Sequence, residues 1–193
     1  MHYFEKAKKI IEKYRTLGEQ KLNDGTVLIG KAPHVAPHAW LNKLFPVLNL
    51  SQIKSIEQTI GAKIPEDYRD FLLNYSNGLK VFIDTLSLDG LRLKSGRTLE
   101  SAWQPYSIFT PNVEERIEGA LSQHFFIGGY SWDGSLLYID RTTNKVHRCN
   151  KNSIKPLNSW NNFQDMLIME LERLDLLFDD NGVEKDKNKP TTP

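Results

Sequence analysis

Few residues of this sequence combine types and spacing that could perform catalysis. Ser131 lies in the stretch Gly129-Tyr130-Ser131-Trp132-Asp133, which is only partly like the turn that carries a nucleophilic serine, because the second glycine of that motif is absent. Asp133 and Asp140 could act as an acid pair, yet Asp133 precedes Gly134 in a typical hairpin turn and Asp140 ends a predicted strand. We interpret both motifs as turns.

The other candidates for catalysis or metal binding are isolated. Cys149 is the only cysteine and lies in a strand pattern, which favours a structural thiol. His34 and His38 have the spacing of zinc-binding helices, but Pro33 and Pro37 disfavour a regular helix there. The sequence has no glycine-rich phosphate loop. We therefore expect no enzymatic activity, no catalytic residue, no bound metal and no cofactor.

Aromatic and acidic residues in predicted loops indicate a different kind of site. Tryptophan and tyrosine are the residue types that most often anchor protein interfaces. The acidic residues beside them would repel the phosphates of a nucleic acid. We therefore expect a protein partner and no direct binding of nucleic acid; the alternative is that the aromatic residues cover the ends of a sheet. The predicted partner-binding residues are Trp103, Tyr106, Glu114, Glu115, Tyr130, Trp132 and Asp133.

The composition is typical of a globular domain. The chain has 193 residues, of which 39% are hydrophobic and 25% are charged, and this suits one domain of ordinary size. A net charge of +1 gives no overall field that would attract nucleic acid or an acidic membrane. A single cysteine excludes an intrachain disulfide, and no stretch approaches the roughly twenty apolar residues of a membrane span. We expect a cytoplasmic protein without a membrane partner.

Two helices are predicted in residues 51–78. In the first, three isoleucines recur at helical spacing, Ser51 is a candidate N-cap and Gly61 is a candidate stop. The second can begin at Pro65 and end at Asn77-Gly78. The apolar residues of the two helices are Ile53, Ile56, Ile60, Tyr68, Phe71, Leu72 and Tyr75.

These helices also resemble the signature of a known superfamily, SUKH. The matching pairs are Ile56-Glu57, Ile60-Gly61, Ile64-Pro65, Asp67-Tyr68, Phe71-Leu72 and Asn77-Gly78. The later strands of the superfamily are similar to Phe126-Ile127-Gly128, Gly134, Leu137-Tyr138-Ile139-Asp140 and Val146. The resemblance covers residues 50–178. The superfamily includes fungal cell-wall-assembly regulators and many bacterial immunity proteins that neutralise toxins.

Beyond Gly78 the hydrophobic pattern changes from helical to extended. Short strands are predicted over residues 81–83 and 86–93, the latter broken by an Asp89-Gly90 turn, and a three-stranded meander is predicted over residues 125–150. Ser95-Gly96-Arg97 is a predicted turn, and residues 98–106 begin with a helical pattern.

Capping residues and amphipathic patterns place the remaining helices. Asn112 is a candidate cap for a helix over residues 113–121, and Ser159 is a candidate cap for a final amphipathic helix that ends near Phe178. Residues 39–48 have the pattern of a short helix or turn. The first helix is rich in basic residues and the last is rich in acidic residues, which is typical of solvated helix faces.

The predicted fold class is α+β, with a single domain in which a mainly antiparallel sheet packs against helices. Residues 1–50 form an N-terminal helical extension with a helix, a short strand and a proline-containing linker. Residues 51–180 form the SUKH-like domain. Residues 181–193 form a disordered tail, because their apolar content is too low for folding.

The resemblance implies a non-enzymatic protein-binding module, and in particular an immunity protein that neutralises a cognate polymorphic toxin. The expected partner is a protein toxin domain, and a nuclease is one candidate. The alternative is a regulatory scaffold similar to the fungal cell-wall-assembly regulators. A third class, a hydrolase or nucleic-acid binder with an unrecognised site, has no supporting motif in the sequence.

Overall fold

In the part of the chain that the structure describes, nine antiparallel strands form one sheet, and their order in the sheet is their order along the chain. The computed structural model describes residues 3–96 and 98–193. The strands are β1 (Glu19–Lys21), β2 (Val27–Lys31), β3 (Trp40–Leu44), β4 (Leu79–Val81), β5 (Leu86–Leu88), β6 (His124–Tyr130), β7 (Leu136–Asp140), β8 (Val146–Cys149) and β9 (Pro156–Trp160). The predicted α+β class with a mainly antiparallel sheet is confirmed, as is the β6–β7–β8 meander.

In the described residues, five α-helices accompany the sheet: α1 (Tyr3–Glu12), α2 (Leu50–Ile60), α3 (Glu66–Asn74), α4 (Leu99–Ala102) and α5 (Phe163–Leu177). A 3₁₀ helix covers Lys13–Leu17, and a π-helical turn covers Thr110–Glu114. Gly61 ends α2 in the left-handed conformation, as predicted. In the described part of the chain, no helix combines the length and the apolar content needed to cross a bilayer.

Several local predictions were wrong. Residues 40–44 form β3, not a helix or turn, because they pair with β2 on one side and β4 on the other. Asn49, not Ser51, caps α2, since Asn49 and Gln52 form a reciprocal capping box. Ser159 lies in β9, and the cap of α5 is Asn162.

Two further predictions concern residues 95–121. No helix forms over residues 115–121, and Asn112 lies inside the π-helical turn, so it does not cap the predicted helix. The predicted turn at Ser95-Gly96-Arg97 includes Arg97, which lies outside the described residues.

The N-terminal residues share the sheet and the core of the rest of the chain. Strand β3 pairs with β4 in the register Lys43↔Lys80 and Leu44↔Leu79. Helix α1 and the 3₁₀ helix pack beside α5, where the predicted basic and acidic runs meet. Lys6 lies 2.8 Å from Glu172, Lys13 lies 2.6 Å from Asp175, and the Tyr14 hydroxyl donates to Asp175.

The main core lies between the helices and one face of the sheet. Phe163 of α5 contacts Tyr68 and Phe71 of α3, with ring centroids 5.1 and 5.3 Å apart. Successive residues of a strand point to opposite faces, so Phe125 and Ile127 enter this core while Phe126 joins a smaller cluster on the other face. The smaller cluster also contains Tyr138 and Cys149.

The last residues contact the domain although residues 185–193 form neither helix nor strand. Arg173 donates to the carbonyl of Thr191, and Arg148 donates to the carbonyl of Pro193, with distances of 2.7 and 2.8 Å. The disorder expected for residues 181–193 stays a prediction. If these residues were disordered, the two hydrogen bonds to Thr191 and Pro193 would be broken.

Leu41 tests whether the N-terminal residues belong to the same folding unit. Leu41 in β3 is fully buried, so Leu41→Ala should lower the free energy of unfolding by about 3 kcal/mol. Leu176→Ala is the matched control, because Leu176 is 73% exposed and its truncation should cost little. Urea denaturation followed by circular dichroism measures both. A wild-type midpoint for the Leu41 variant would mean that β3 is not part of the cooperative core.

Candidate functional site

A groove of about 500 Å³ lies where β5, β6 and β7 meet the irregular segment that follows α4. Three carboxyl groups and one guanidinium line it, together with two tyrosines and three glycines. The lining residues are Asp84, Ser87, Asp89, Arg92, Tyr106, Ser107, Thr110, Pro111, Glu115, Gly128, Gly129, Tyr130, Ser131, Gly134, Ser135 and Leu136.

Glycines in β6 bring the neighbouring strands close and leave the groove floor free of side chains. A Cβ on Gly128 would clash with the carbonyl oxygen of Ser87, and one on Gly129 would clash with the carbonyl oxygen of Ser135. Gly128 also has a φ of +151° at an irregularity in the β6–β7 register, a conformation that favours glycine. The floor therefore depends on the absence of side chains at these two positions.

The backbone of residues 89–91, directly after β5, is held by two buried side chains. The Tyr68 hydroxyl of α3 donates to the Asp89 carbonyl. The side-chain amide of Asn77 accepts from the Leu91 N–H at 2.7 Å and donates to the Leu91 carbonyl at 2.8 Å. A Cβ on Gly90 would clash with Asn77, so this position requires glycine. These contacts hold the backbone that carries Asp89 beside the groove.

Asp89 is a buried carboxyl group without a partner. It is 6% exposed, and among residues 3–96 and 98–193 no donor forms a hydrogen bond or ion pair with its side chain. Burial raises its pKa to about 7, against an opposite effect of the positive charge on Lys80. Burying a carboxylate in this way costs free energy, so the position is strained in electrostatic terms.

The neighbouring Asp84 is, in contrast, neutralised by two lysines. Its carboxylate lies 2.5 Å from the Lys43 ammonium and 3.6 Å from the Lys80 ammonium. Lys80 is buried, which lowers its pKa, and it also lies 3.6 Å from the ring centroid of Tyr106. Lys43 thus pairs with Asp84, and Lys80 contacts both Asp84 and Tyr106. Neither lysine forms an ion pair with Asp89.

The loop that carries Asp84 has an unusual backbone that the N-terminal strand β3 supports. Phe82, Ile83 and Asp84 have φ values of 51°, 59° and 60°, and a positive φ is rare for a β-branched residue such as Ile83. The Phe82 N–H donates to the Asn42 side chain, and the Ile83 N–H donates to the Leu41 carbonyl. One wall of the groove therefore depends on residues outside the predicted SUKH-like segment.

The structure brings most of the predicted partner-binding residues together. Tyr106, Glu115 and Tyr130 line the groove. Trp132 and Asp133 lie on the β6–β7 hairpin, whose residues 131 and 134 also line it. Two predicted residues stand apart from these. Exposed Glu114 accepts a hydrogen bond from Thr110, whereas Trp103 lines a separate depression with Asp24 and Lys94.

Tyr130 is part of the groove wall, unlike the exposed aromatic residues. It is 3% exposed, and its hydroxyl donates at 2.8 Å to Glu170, a buried residue of α5 that also pairs with Arg173. The aromatic residues available to a partner are Tyr106 and Trp132, which are 47% and 46% exposed. These two flank the groove as candidate anchors.

Asp133 has a structural role in the hairpin. Its carboxylate accepts from the Ser135 N–H, as in an Asx turn, and lies 2.5 Å from the guanidinium of buried Arg148. Partial burial alone would raise its pKa, but the hydrogen bonds from Ser135 and Arg148 outweigh this and lower it. The sequence-based interpretation of Asp133 as a turn residue is consistent with these contacts.

Sequence reasoning missed Asp89 and the role of Asn112. The Asp89-Gly90 pair has the pattern of a hairpin turn, whereas Gly90 instead forms a parallel bridge with Ser107. Asn112 accepts from the N–H of Phe126 and donates to its carbonyl, so its side chain replaces a strand partner beside β6. Neither contact has a local signal, because both link residues distant in sequence.

The other residues considered for chemistry lie in structural positions. Burial raises the pKa of the Cys149 thiol to about 11, so it is protonated at neutral pH. His124 and His147 flank the Tyr138 ring at 4.8 and 5.1 Å on an outer face of the sheet. Within the described residues, no three or more histidine, cysteine, aspartate and glutamate side chains lie close enough together to hold a metal ion.

One comparison with known proteins gave a match. The family model described as SMI1 / KNR4 family (SUKH-1) matches residues 48–169, which is more than half of the chain. The matched range begins before α2 and ends within α5, so it includes the groove except for the β3 residues that support its wall. A search of curated proteins found no match.

Asp133 and Trp132 are adjacent, but only Asp133 should matter for stability. Asp133→Ala leaves the buried Arg148 guanidinium without its carboxylate, and we expect the free energy of unfolding to fall by about 2 kcal/mol. Trp132→Ala is the matched neighbour and should change it by less than about 0.5 kcal/mol, since the side chain is largely exposed. Chemical denaturation of both variants checks this. Equal losses would contradict a specific role for the ion pair.

Asp89 should make stability depend on pH. Its pKa is about 7 in the folded protein instead of the ordinary 3.8, so between these values the folded state holds a proton that the unfolded chain has released. Stability from this group therefore falls as the pH rises toward 7. Asp89→Asn removes this effect, so the variant should gain stability over wild type as the pH is raised from 5 to 8. Denaturation curves across that range test it, and a pH-independent difference would be the contrary result.

Proposed function

Because the chain belongs to the SMI1 / KNR4 family (SUKH-1), we propose that it is a protein-binding module without catalytic activity, which neutralises a cognate toxin as an immunity protein. The observation that carries the proposal is the groove, in which buried and exposed carboxyl groups lie between two exposed aromatic residues. Fixed anchors around a polar depression are what a specific protein partner needs.

Rigidity of the anchors supports binding. The Tyr106 ring rests on the buried Lys80 ammonium, and the hairpin that carries Trp132 is fixed by the Asp133–Arg148 ion pair. Side chains already held in place lose less conformational entropy when a partner docks. The Tyr106 ring and the turn that carries Trp132 are therefore in place before a partner docks.

Two acidic residues of the groove could face a basic partner surface. Asp89 and Glu115 line the groove without an ion pair among the described residues, and the Arg92 guanidinium, which also lines it, donates to the Ser101 carbonyl. A nuclease toxin carries basic residues where it binds phosphates, so such a surface would be complementary in charge. Occupying that surface would block access of the nucleic acid and so neutralise the toxin.

The groups that could have supported catalysis are accounted for by packing. Cys149 is a protonated buried thiol, Asp133 is held by Arg148, and the hydroxyl of Tyr130 is bound to Glu170.

The alternative function is a regulatory scaffold similar to the fungal cell-wall-assembly regulators. A toxin gene beside the gene for this protein favours immunity, and a scaffold predicts no such neighbour.

Co-expression tests the proposal directly. The toxin domain encoded beside this gene should arrest growth of a bacterial host when expressed alone and should not do so when this protein is also present. Rescue by the protein, together with a complex on size-exclusion chromatography, is the expected result. Growth arrest that persists at equal expression would contradict the immunity role.

Trp132 provides the test of the surface. Trp132→Ala should weaken binding of the purified toxin domain by about 2 kcal/mol if this residue is an anchor. Trp103→Ala is the control, because Trp103 lies at a separate depression and should leave affinity unchanged. Titration calorimetry measures both, with circular dichroism to verify folding. If Trp103→Ala weakened binding and Trp132→Ala did not, the interface would instead lie at the depression around Trp103.

A further inference from the structure

We propose that Asp89 receives a cationic side chain of the partner, an arginine in particular, inserted into the groove; this rests on the proposed protein-binding function. Asp89 is the acceptor because it is fixed, lines the groove and is 94% buried without a partner in residues 3–96 and 98–193. An arginine can donate to both carboxylate oxygens at once, which compensates the cost of burying the charge.

Other buried charges near the groove already have partners of opposite charge. Glu170 pairs with Arg173 at 2.7 Å, Arg148 pairs with Asp133 at 2.5 Å, and Lys80 lies 3.6 Å from Asp84. Asp89 departs from this pattern although it lies on the same surface. An incoming cation would give Asp89 the oppositely charged partner that the other buried charges already have, and a buried carboxylate is stabilised mainly by such a partner.

The groove has the room and the lining that an arginine side chain requires. Its volume of about 500 Å³ is within the range of sites that hold small ligands, and the bare backbone of Gly128 and Gly129 keeps the floor open. Tyr106 and Pro111 offer apolar surface for the methylene groups of the side chain.

The charged groups around Asp89 permit a cation to enter. Lys80 on β4 is engaged with Asp84 and Tyr106, and the Arg92 guanidinium donates to the Ser101 carbonyl at 3.2 Å. Glu115, from the segment before β6, adds a negative charge at the same groove. Tyr68 and Tyr130 are neutral, because burial raises their pKa further above the physiological range.

Binding of a cation to Asp89 should release a proton. Burial raises the pKa of the free carboxyl to about 7, so a large fraction of the protein is protonated there near neutral pH. A guanidinium stabilises only the ionised form. Affinity for the cation should therefore rise several-fold between pH 6 and pH 8, which a purely apolar groove would not produce.

A peptide titration tests the inference without a toxin. The probe is acetyl-Gly-Arg-Gly-amide, and its control is the same peptide with citrulline, which has nearly the same shape but no charge. Nuclear magnetic resonance spectra of the ¹⁵N-labelled protein should show saturable shifts at groove amides such as Gly128 and Gly129 with the arginine peptide. Citrulline should bind at least about ten-fold more weakly, which corresponds to about 1.4 kcal/mol.

Asp89→Asn should reduce the affinity for the arginine peptide to that for the citrulline peptide. Asp180→Asn, at an exposed carboxyl in the turn after α5 that does not line the groove, should bind like wild type. The wild-type pH dependence is a second readout that needs no variant. No saturable shift at tens of millimolar peptide, or equal binding by Asp89→Asn, would overturn the inference. If the peptide titration failed but co-expression of this protein still prevented growth arrest by the toxin, the immunity function would be supported and only the role of Asp89 would be wrong. The two experiments therefore distinguish failure of this inference from failure of the proposed function.

Discussion

The hydrogen bonds from Tyr68 and Asn77 to the backbone after β5 are the constraint on which the groove depends. The Asp89 N–H still donates to the Ile127 carbonyl of β6, and Gly90 bonds to the backbone of Tyr106 and Ile108. The Asp89 carbonyl and both backbone groups of Leu91 have side-chain partners instead, because a buried backbone group needs a partner. Tyr68 and the amide of Asn77 supply them, and Gly90 gives Asn77 the space to do so. These bonds hold the backbone that carries Asp89 beside the groove.

The unpaired Asp89 carboxyl group makes the free protein less stable as the pH rises toward 7. Lys43 and Lys80 are engaged with Asp84, and Arg92 is engaged with a backbone carbonyl, so no nearby cation neutralises Asp89 among the described residues. In the free protein, burial of this carboxyl group without a counter-charge raises its pKa to about 7. Strain of this kind is typical of sites whose missing partner arrives from outside.

The N-terminal residues complete the domain that the family model covers only from residue 48. Strand β3 extends the sheet beside β4, and its Asn42 holds the left-handed loop that carries Asp84. Helix α1 and the 3₁₀ helix join their basic residues to the acidic α5. The groove within the family segment thus depends on residues outside that segment.

The sequence by itself determined the local elements: the helices α2 and α3, the Gly61 stop, the β6–β7–β8 meander and the family resemblance. Each follows from spacing or turn chemistry within a few residues, where local preference and final structure agree. Only the tertiary structure decided that residues 40–44 are a strand, that Trp103 lies apart from Trp132, and that Asp89 faces a groove. The physical reason is that strand pairing, burial and missing charge partners depend on groups far apart in the chain, and no local pattern records them.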